Sequence, residues 1–426
     1  RWSTKRPVPR SRKSRTSRPK ADIRTERQKG AGHLPPFDIP HAVACSLHKA
    51  SVVTEKPFMP PEKTLSEKLV RETRRVGRQI AALVLPSWGH VARAVHDLRR
   101  HKTVHVTEGA QPLMDEVAVL LIYQPRGLLD STLWQLRWMA SQGVSVVVVT
   151  NAPLAADDRA RLAELSHLVV ERPNLGYDFG GYREGVLQVL DRGIRPKALY
   201  IMNDSMWFPL SEDSDVLKRS RAAPEDLWGL FIDLDQQHRE TGDMNAQHVQ
   251  SYFFRFSGRM VRDPDFDRYW RKMSLVNEKR IVIQLRELGL TRHFRKLGYS
   301  VGGLHSWREV VQFLLTLDDE QMMRDILHHQ AQVNRKDSRL LDPLLADPTL
   351  SALQIRDMLR ERIDNTELLV FSTALHPAVM TSLGFPFLKK QRVEMMVGKR
   401  AKMIELGLHA AYPEPIRREV EMWDKR

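Results

Sequence analysis

Val117-Ala118-Val119-Leu120-Leu121-Ile122-Tyr123 and Val144-Ser145-Val146-Val147-Val148-Val149-Thr150 decide the fold class. Each is an apolar, β-branched run of seven residues, too short for a helix and free of polar alternation, which is the pattern of a strand buried on both faces. Between them Ser131–Ser141 carries helical spacing, and a second helical stretch, about Ala155–Leu165, follows. Short strands are expected at Leu168–Glu171 and Ala198–Met202, with a Gly-rich turn and a helix to Leu190 between them. Strands separated by amphipathic helices predict βαβ units and a mostly parallel sheet flanked by helices. Two more strands are expected at Leu227–Ile232 and Ser251–Phe256, a helix at about Lys279–Leu297, and a short strand near Tyr299–Val301. From Glu309 onward the chain reads as helical, with short breaks and no alternation.

Outside that block the chain changes character. Residues 1–106 hold 24 Lys/Arg against eight Asp/Glu, so of the net charge of +15 the rest of the chain carries about −1. Residues 1–62 alternate basic residues with Ser, Thr and Pro and bury too little apolar surface to offset chain entropy, so a disordered tail is expected. Residues 64–101 read as two amphipathic helices broken at Pro86, the first with Leu65, Leu69, Val76, Ile80 and Leu83 at helical spacing, the second with Val91, Val95 and Leu98. The expected organisation is a basic tail (1–62), an amphipathic helical segment (63–112), an α/β domain (113–310) and a helical C-terminal region (311–426).

Composition narrows the function. One cysteine, Cys45, excludes an internal disulfide framework and a Cys-based zinc site, and fits a reducing, cytoplasmic compartment. No apolar run approaches the ~20 residues of a spanning helix, and no leader-like apolar region stands near Arg1, where the given chain opens without Met. A nucleic-acid enzyme would carry positive charge around its cleft as well as on a tail, so no nucleic-acid partner is expected.

In open α/β sheets ligands bind outside the carboxyl ends of the strands at a topological switch point. Two segments fall there. Asn174-Leu175-Gly176-Tyr177-Asp178-Phe179-Gly180-Gly181-Tyr182 joins a strand to a helix. Its glycines permit close approach of backbone to a ligand, and the helix N-terminus could bind a diphosphate; Asp178 also reads as a simple helix cap. Asn203-Asp204-Ser205 ends an apolar strand, and Asp204 reads either as a cation ligand or as ordinary turn chemistry.

Taken with Gln250-Ser251-Tyr252-Phe253 and Gly384-Phe385-Pro386-Phe387-Leu388-Lys389, these segments resemble the rhamnan synthesis protein F family of polysaccharide and O-antigen assembly, over about residues 115–395. More distantly, the region resembles inverting glycosyltransferases of the GT-A fold. The resemblance implies a glycosyltransferase that uses a nucleotide sugar, with deoxythymidine-diphosphate rhamnose as donor and a lipid-linked glycan as acceptor. It implies donor or acceptor contacts from Asn174, Gly176, Tyr177, Asp178, Gly180, Gly181, Tyr182, Asn203, Ser205 and Tyr252. It also implies Asp204 as a catalytic residue that stabilises the leaving group, with or without a cation, and Asp204 and His305 as ligands of Mg²⁺ or Mn²⁺, although Asn203-Asp204-Ser205 keeps one carboxylate of the two in the GT-A motif. Glu287 stands where that fold places the base that deprotonates the acceptor, here without the second acid, since Leu288 follows. Glu287 reads equally as a solvated helix residue. The missing carboxylates leave a second reading open, a non-catalytic assembly or carbohydrate-binding protein on a degenerate transferase scaffold. Under the first, the basic amphipathic stretch 64–101 reads either as a contact with an anionic inner-membrane surface or as a solvated helix face packed on the enzyme body.

Overall fold

A computed structural model describes residues 88–234, 247–278, 282–333, 341, 344–364 and 375–425. The expected disordered tail and the first amphipathic helix lie outside the described residues. A helix, α1, runs over residues 88–103. Then come β1 (His105–Glu108), β2 (Glu116–Ile122), α2 (Asp130–Ser141), β3 (Val144–Thr150), α3 (Ala156–Leu165) and β4 (Leu168–Glu171). These are followed by α4 (Tyr177–Asp191), β5 (Ala198–Asn203), β6 (Met206–Trp207), α5 (Val216–Ala222), β7 (Leu227–Leu234), β8 (Gln247–Val249) and β9 (Phe253–Ser257). After a helix at Pro264–Lys272, a π-helical turn at Ile283–Glu287 runs into the helix Leu288–Lys296, and β10 (Val301–Ser306) completes the sheet.

Nine strands form one sheet, in the order β1-β4-β3-β2-β5-β9-β7-β10 with β8 on β7. Strands β2, β3, β4 and β5 pair in parallel, as do β7 and β10. The expectation of a parallel sheet holds for these, but β9 runs antiparallel between β5 and β7. Strands β8 and β9 both run back along β7, β8 against its residues 232–234 and β9 against 227–229, so β9 continues the return stroke that β8 begins.

Alternation along the central strand sets the layers. Ala118, Leu120 and Ile122 pack with Leu133, Leu136 and Met139 of α2 on one face. Val117, Val119 and Leu121 pack with Tyr182, Val186 and Val189 of α4 on the other. Each fully buried aliphatic side chain stabilises by roughly 1.5–3 kcal/mol, so this double-sided core is what fixes the sheet.

The chain moves outward from β2 to β3 and β4, then crosses back through α4 to place β5 on the other side of β2. The carboxyl ends of β2 and β5 therefore flank the switch point. The C-terminal region is not purely helical, as expected from sequence, because β11 (Leu388–Lys389) pairs antiparallel with β6 immediately after the Asn203-Asp204-Ser205 turn. Helices at Glu394–Glu405 and Glu414–Trp423 lie behind it. Buried Glu419 accepts hydrogen bonds from Ser131 and from the Trp207 indole at 2.6–2.9 Å, locking the last helix onto α2 and β6.

Candidate functional site

At the end of β5 the backbone turns sharply, and Asp204 N–H donates to the Leu121 carbonyl of β2 at 3.0 Å. Beside this turn lies a cavity of about 460 Å³ lined by Tyr177, Asp178, Asn203, Ser205, Tyr252, Glu287, Lys389 and Gln391, among others. Its size falls in the range of small-molecule sites. The structure thus brings the Gly-rich loop, the strand tip, the Tyr252 segment and Glu287 together around one space.

The loop reaches the cavity through unusual backbone. Gly176 and Tyr177 both take positive φ, +83° and +51°, a region that costs a tyrosine strain and persists only where surroundings enforce it. Arg172, buried in the preceding segment, donates to Asn151 Oδ1 and to the Leu175 carbonyl, each at 2.6 Å, and holds the loop from behind. Gly176 N–H is not free for a ligand, because it donates to Asn277 Oδ1 at 2.6 Å. The N–H groups of Tyr177, Asp178 and Phe179 in the first turn of α4 have no acceptor among the described residues, and all three residues line the cavity.

Two glycines have a different role from the one expected. A Cβ on Gly180 would lie 1.9 Å from the Leu175 carbonyl oxygen, and one on Gly181 would lie 2.4 Å from Leu121 Cδ1. Both are required by intramolecular packing of α4 against its loop and against β2, not by contact with a ligand. Tyr182 is likewise corrected: it is fully buried, and its hydroxyl donates to the Ser251 carbonyl at 2.9 Å, positioning the Tyr252 segment from below. Asn174 is exposed and does not line the cavity.

A chain of hydrogen bonds crosses the site. Asn203 Nδ2 donates to Asp178 Oδ2 at 3.0 Å. Ser205 donates to Asn203 Oδ1 from its hydroxyl at 2.6 Å and from its N–H at 3.2 Å. Lys389 Nζ donates to Ser205 Oγ at 3.1 Å and stands 3.5 Å above the Tyr252 ring centre. Glu287 Oε1 accepts from Ser251 N–H at 3.3 Å.

Charge is concentrated here. Asp178 reaches solvent at the cavity mouth, yet protein surrounds most of its carboxyl. That desolvation, followed by Asp204 and Glu287 nearby, pushes its pKa above the ordinary range, against the opposing pull of Lys389 and Asn203. Burial depresses the Lys389 ammonium to about 7, with Glu287 and Asp178 acting to hold it up.

Asp204 is oriented differently from its neighbours. Its Oδ2 accepts from Tyr123 N–H at 2.9 Å and Gln124 Nε2 at 3.0 Å, so the carboxylate ties β5 to the loop after β2 across the switch point. His305, the other expected metal ligand, does not line the cavity. It lies in β10, its Nδ1 3.0 Å from Glu309 Oε2 and its ring stacked 4.2 Å from Phe385. Among the described residues no three His, Cys, Asp or Glu side chains are grouped as a metal site requires. Asp204 and His305 therefore do not form a dedicated divalent-cation site with the groups around them.

Lys389, quoted from sequence only as the end of the Gly384–Lys389 segment, and Gln391 also line the cavity, without a role assigned to either from sequence. The signal was the Phe387-Leu388-Lys389-Lys390 run, whose two lysines directly follow apolar residues.

Residues 146–338 match the family described as rhamnan synthesis protein F, a span that includes the loop, the strand tip, Tyr252 and Glu287 but not Lys389. An uncharacterized protein, y4gN of Sinorhizobium fredii (strain NBRC 101917 / NGR234), is 33% identical over 361 residues, covering 84% of this chain and 92% of that protein. Among solved structures, the mannosyltransferase Ktr4p from S. cerevisiae aligns over 39% of this chain and 63% of its own at 9% identity and a TM-score of 0.21. The mannosyltransferase PcManGT from Pyrobaculum calidifontis, in complex with GDP-Man and Mn²⁺, aligns over 81% and 95% at 10% identity and a TM-score of 0.25. Neither structural likeness is close enough to bear on the site.

Proposed function

The chain belongs to the rhamnan synthesis protein F family, and from that premise we propose that it is a glycosyltransferase of cell-surface polysaccharide synthesis, transferring a sugar from a nucleoside-diphosphate donor to a lipid-linked glycan with inversion. The observation that carries the proposal is the shared cavity. The first turn of α4, the β5 tip and Glu287 come from three distant parts of the sequence and converge on one space of about 460 Å³.

Each group has a role in that reaction. The open N–H groups of Tyr177, Asp178 and Phe179, at the positive end of a 15-residue helix, suit a phosphoryl group. Glu287, fixed by Ser251 N–H through one oxygen, takes the acceptor hydroxyl's proton with the other as the new glycosidic bond forms. The nucleoside diphosphate departs from the opposite face of the anomeric carbon, which inverts it. Tyr252 walls the acceptor side, and Asp204 shapes the crevice over β2 in which the nucleoside rests, by holding Tyr123 and Gln124. Rhamnose as the transferred sugar, and deoxythymidine diphosphate as its carrier, follow from the family alone.

No described helix is long and apolar enough to cross a membrane. A lipid-linked acceptor on the cytoplasmic leaflet calls for contact with the membrane surface, and α1 offers it. Its polar face is docked: Arg100 reaches Glu184 at 2.8 Å and Asp191 at 2.7 Å, and Asp97 receives Arg183 at 2.7 and 2.8 Å. Its apolar residues Trp88, Val91, Val95 and Leu98 point outward, Leu98 being 77% exposed.

The decisive experiment supplies the purified full-length chain with a panel of nucleotide sugars and a lipid-linked acceptor, with Mg²⁺, with Mn²⁺ and with a chelator. Release of nucleoside diphosphate from at least one donor is the expected result. Binding of glycan without release from any donor would return the protein to the non-catalytic reading.

A further inference from the structure

A lysine ammonium is rarely buried without an ionic partner, because desolvating it costs several kcal/mol. Lys389 is 6% exposed, and among the described residues it forms no salt bridge. Of its three N–H donors, one is directed to the Ser205 hydroxyl and one is accommodated by the face of Tyr252; the third has no partner among the described residues. The ammonium nevertheless lines the cavity, and no other described lining residue is a lysine or arginine.

Its placement is enforced by the rest of the C-terminal region. Strand β11 pairs Lys389 with Met206, and Lys390 N–H donates to the Ser205 carbonyl at 2.8 Å. Fully buried Arg400 donates to the Lys389 and Gln391 carbonyls at 2.9 Å each, and is itself gripped by Asp424 at 2.6 and 2.7 Å. A scaffold of this rigidity around an ammonium with a donor to spare is the construction of an anion site.

We propose that Lys389 is the fixed cation that binds the donor's diphosphate, acting together with the open N–H groups in the first turn of α4. The proposal rests on the transferase reading and deepens it. Two independent features converge on the same cavity, a helix N-terminus without acceptors and a buried ammonium without an ion pair, and a phosphoryl group satisfies both. As the anomeric carbon–oxygen bond breaks, its electron pair passes to the diphosphate oxygen, and the ammonium stabilises the charge that develops there. Ser205 orients the ammonium through its hydroxyl. A bound diphosphate in turn raises the pKa of an ammonium that burial depresses to about 7.

The test is calorimetric, on the full chain. Wild type, Lys389→Met and Lys389→Arg are titrated with dTDP, UDP and GDP and with the matching nucleosides, and thermal melting checks each fold. Wild type is expected to bind at least one nucleoside diphosphate more tightly than its nucleoside. Lys389→Met should lose roughly 10–100-fold of that preference, the worth of a charge-assisted hydrogen bond, with nucleoside affinity unchanged and part of the loss restored in Lys389→Arg. Lys389→Gln replaces the methionine variant if that variant does not fold. An undiminished diphosphate preference in a folded neutral variant would overturn the role of Lys389 and leave the transferase reading standing. If wild type bound none of the three diphosphates, both would fall.

Discussion

Asn203 Nδ2 lies 3.0 Å from Asp178 Oδ2, and this one bond ties the first turn of α4 to the tip of β5. The two residues are 25 positions apart, and between them the chain crosses over β3 and β2. Because Asn203 Oδ1 also accepts from Ser205, a single amide sets the distance between the helix N-terminus and Lys389. Asn203→Ala would leave Asp178 and Ser205 without these partners in a half-closed cavity. The expected cost is ~1–3 kcal/mol in urea unfolding, with a larger proportional loss of donor binding. Donor affinity equal to wild type would show that the bond serves folding alone.

Glu287→Gln is the sharpest test of the proposed chemistry. The amide oxygen of glutamine can still accept from Ser251 N–H, so the turn around it should hold. Proton abstraction is lost, and turnover is expected to fall by ~10²–10⁴ with donor affinity preserved. Steady-state nucleotide release and donor titration separate the two effects. Turnover within a few-fold of wild type would reduce Glu287 to a buttress for Ser251.

pH offers an independent reading of the cavity. Lys389 is depressed to about 7, and it faces Asp178 from α4 and Glu287 from the π-helical turn, with Asp204 and Lys390 close behind. A lysine is cationic below its pKa, so affinity for an intact nucleotide sugar should be full below 7 and decline as pH rises from 7 towards 9. The phosphates of such a donor do not titrate in that window, which leaves the protein as the source of any change. Flat affinity from pH 6.5 to 9 would contradict a cationic role for Lys389.

Glycine packing gives a stability test that leaves the chemistry aside. Gly181→Ala places a methyl group 2.4 Å from Leu121 Cδ1 in the seam between α4 and β2, and overpacking of that kind costs ~1–3 kcal/mol. Gly398 lies in the helix Glu394–Glu405, where an added Cβ meets nothing within 4 Å. Gly398→Ala should stabilise by up to ~1 kcal/mol through the higher helix propensity of alanine. Chemical denaturation of both variants checks the pair, and shifts of opposite sign are the expected outcome.

The four parallel strands β2 to β5 were legible because a strand buried on both faces is written as a nearly continuous apolar run, and these runs alternate with stretches of helical spacing. The strand tip and the loop were legible for the same reason, since their position follows from the order of elements. The purposes of Gly180, Gly181 and Tyr182 were not, because a glycine that admits a ligand and one that admits a leucine look alike in sequence. Strand β11 was hidden by its length, as two residues have no period to detect. Lys389 stood in the sequence only as the end of the Gly384–Lys389 segment, and its place at the cavity appears only once β11 pairs with β6. The antiparallel entry of β9 follows from its return along β7 in line with β8, a tertiary fact that no local pattern carries.

Helix α1 supplies the last prediction. Its inward face is charged and paired and its outward face is apolar, the reverse of an ordinary surface helix. Arg99, His101 and Lys102 stand at its C-terminal end, exposed or partly exposed, where they suit an anionic headgroup layer. Inserting Trp88, Val95 and Leu98 into the acyl boundary would recover roughly 1.5–3 kcal/mol for each well-buried side chain, and each nearby basic residue would add ~1 kcal/mol. Full-length protein is therefore expected to co-sediment with phosphatidylglycerol vesicles and to bind neutral phosphatidylcholine vesicles weakly. Val95→Asp with Leu98→Asp should lower affinity for the anionic vesicles by at least ~10-fold, because a carboxylate must be desolvated to enter the interface. Turnover of a water-soluble acceptor should be unaffected, while transfer to a lipid-linked acceptor in vesicles should drop with binding. Undiminished sedimentation of the double variant would assign any membrane attraction to other basic residues and leave the apolar face of α1 without a part in it.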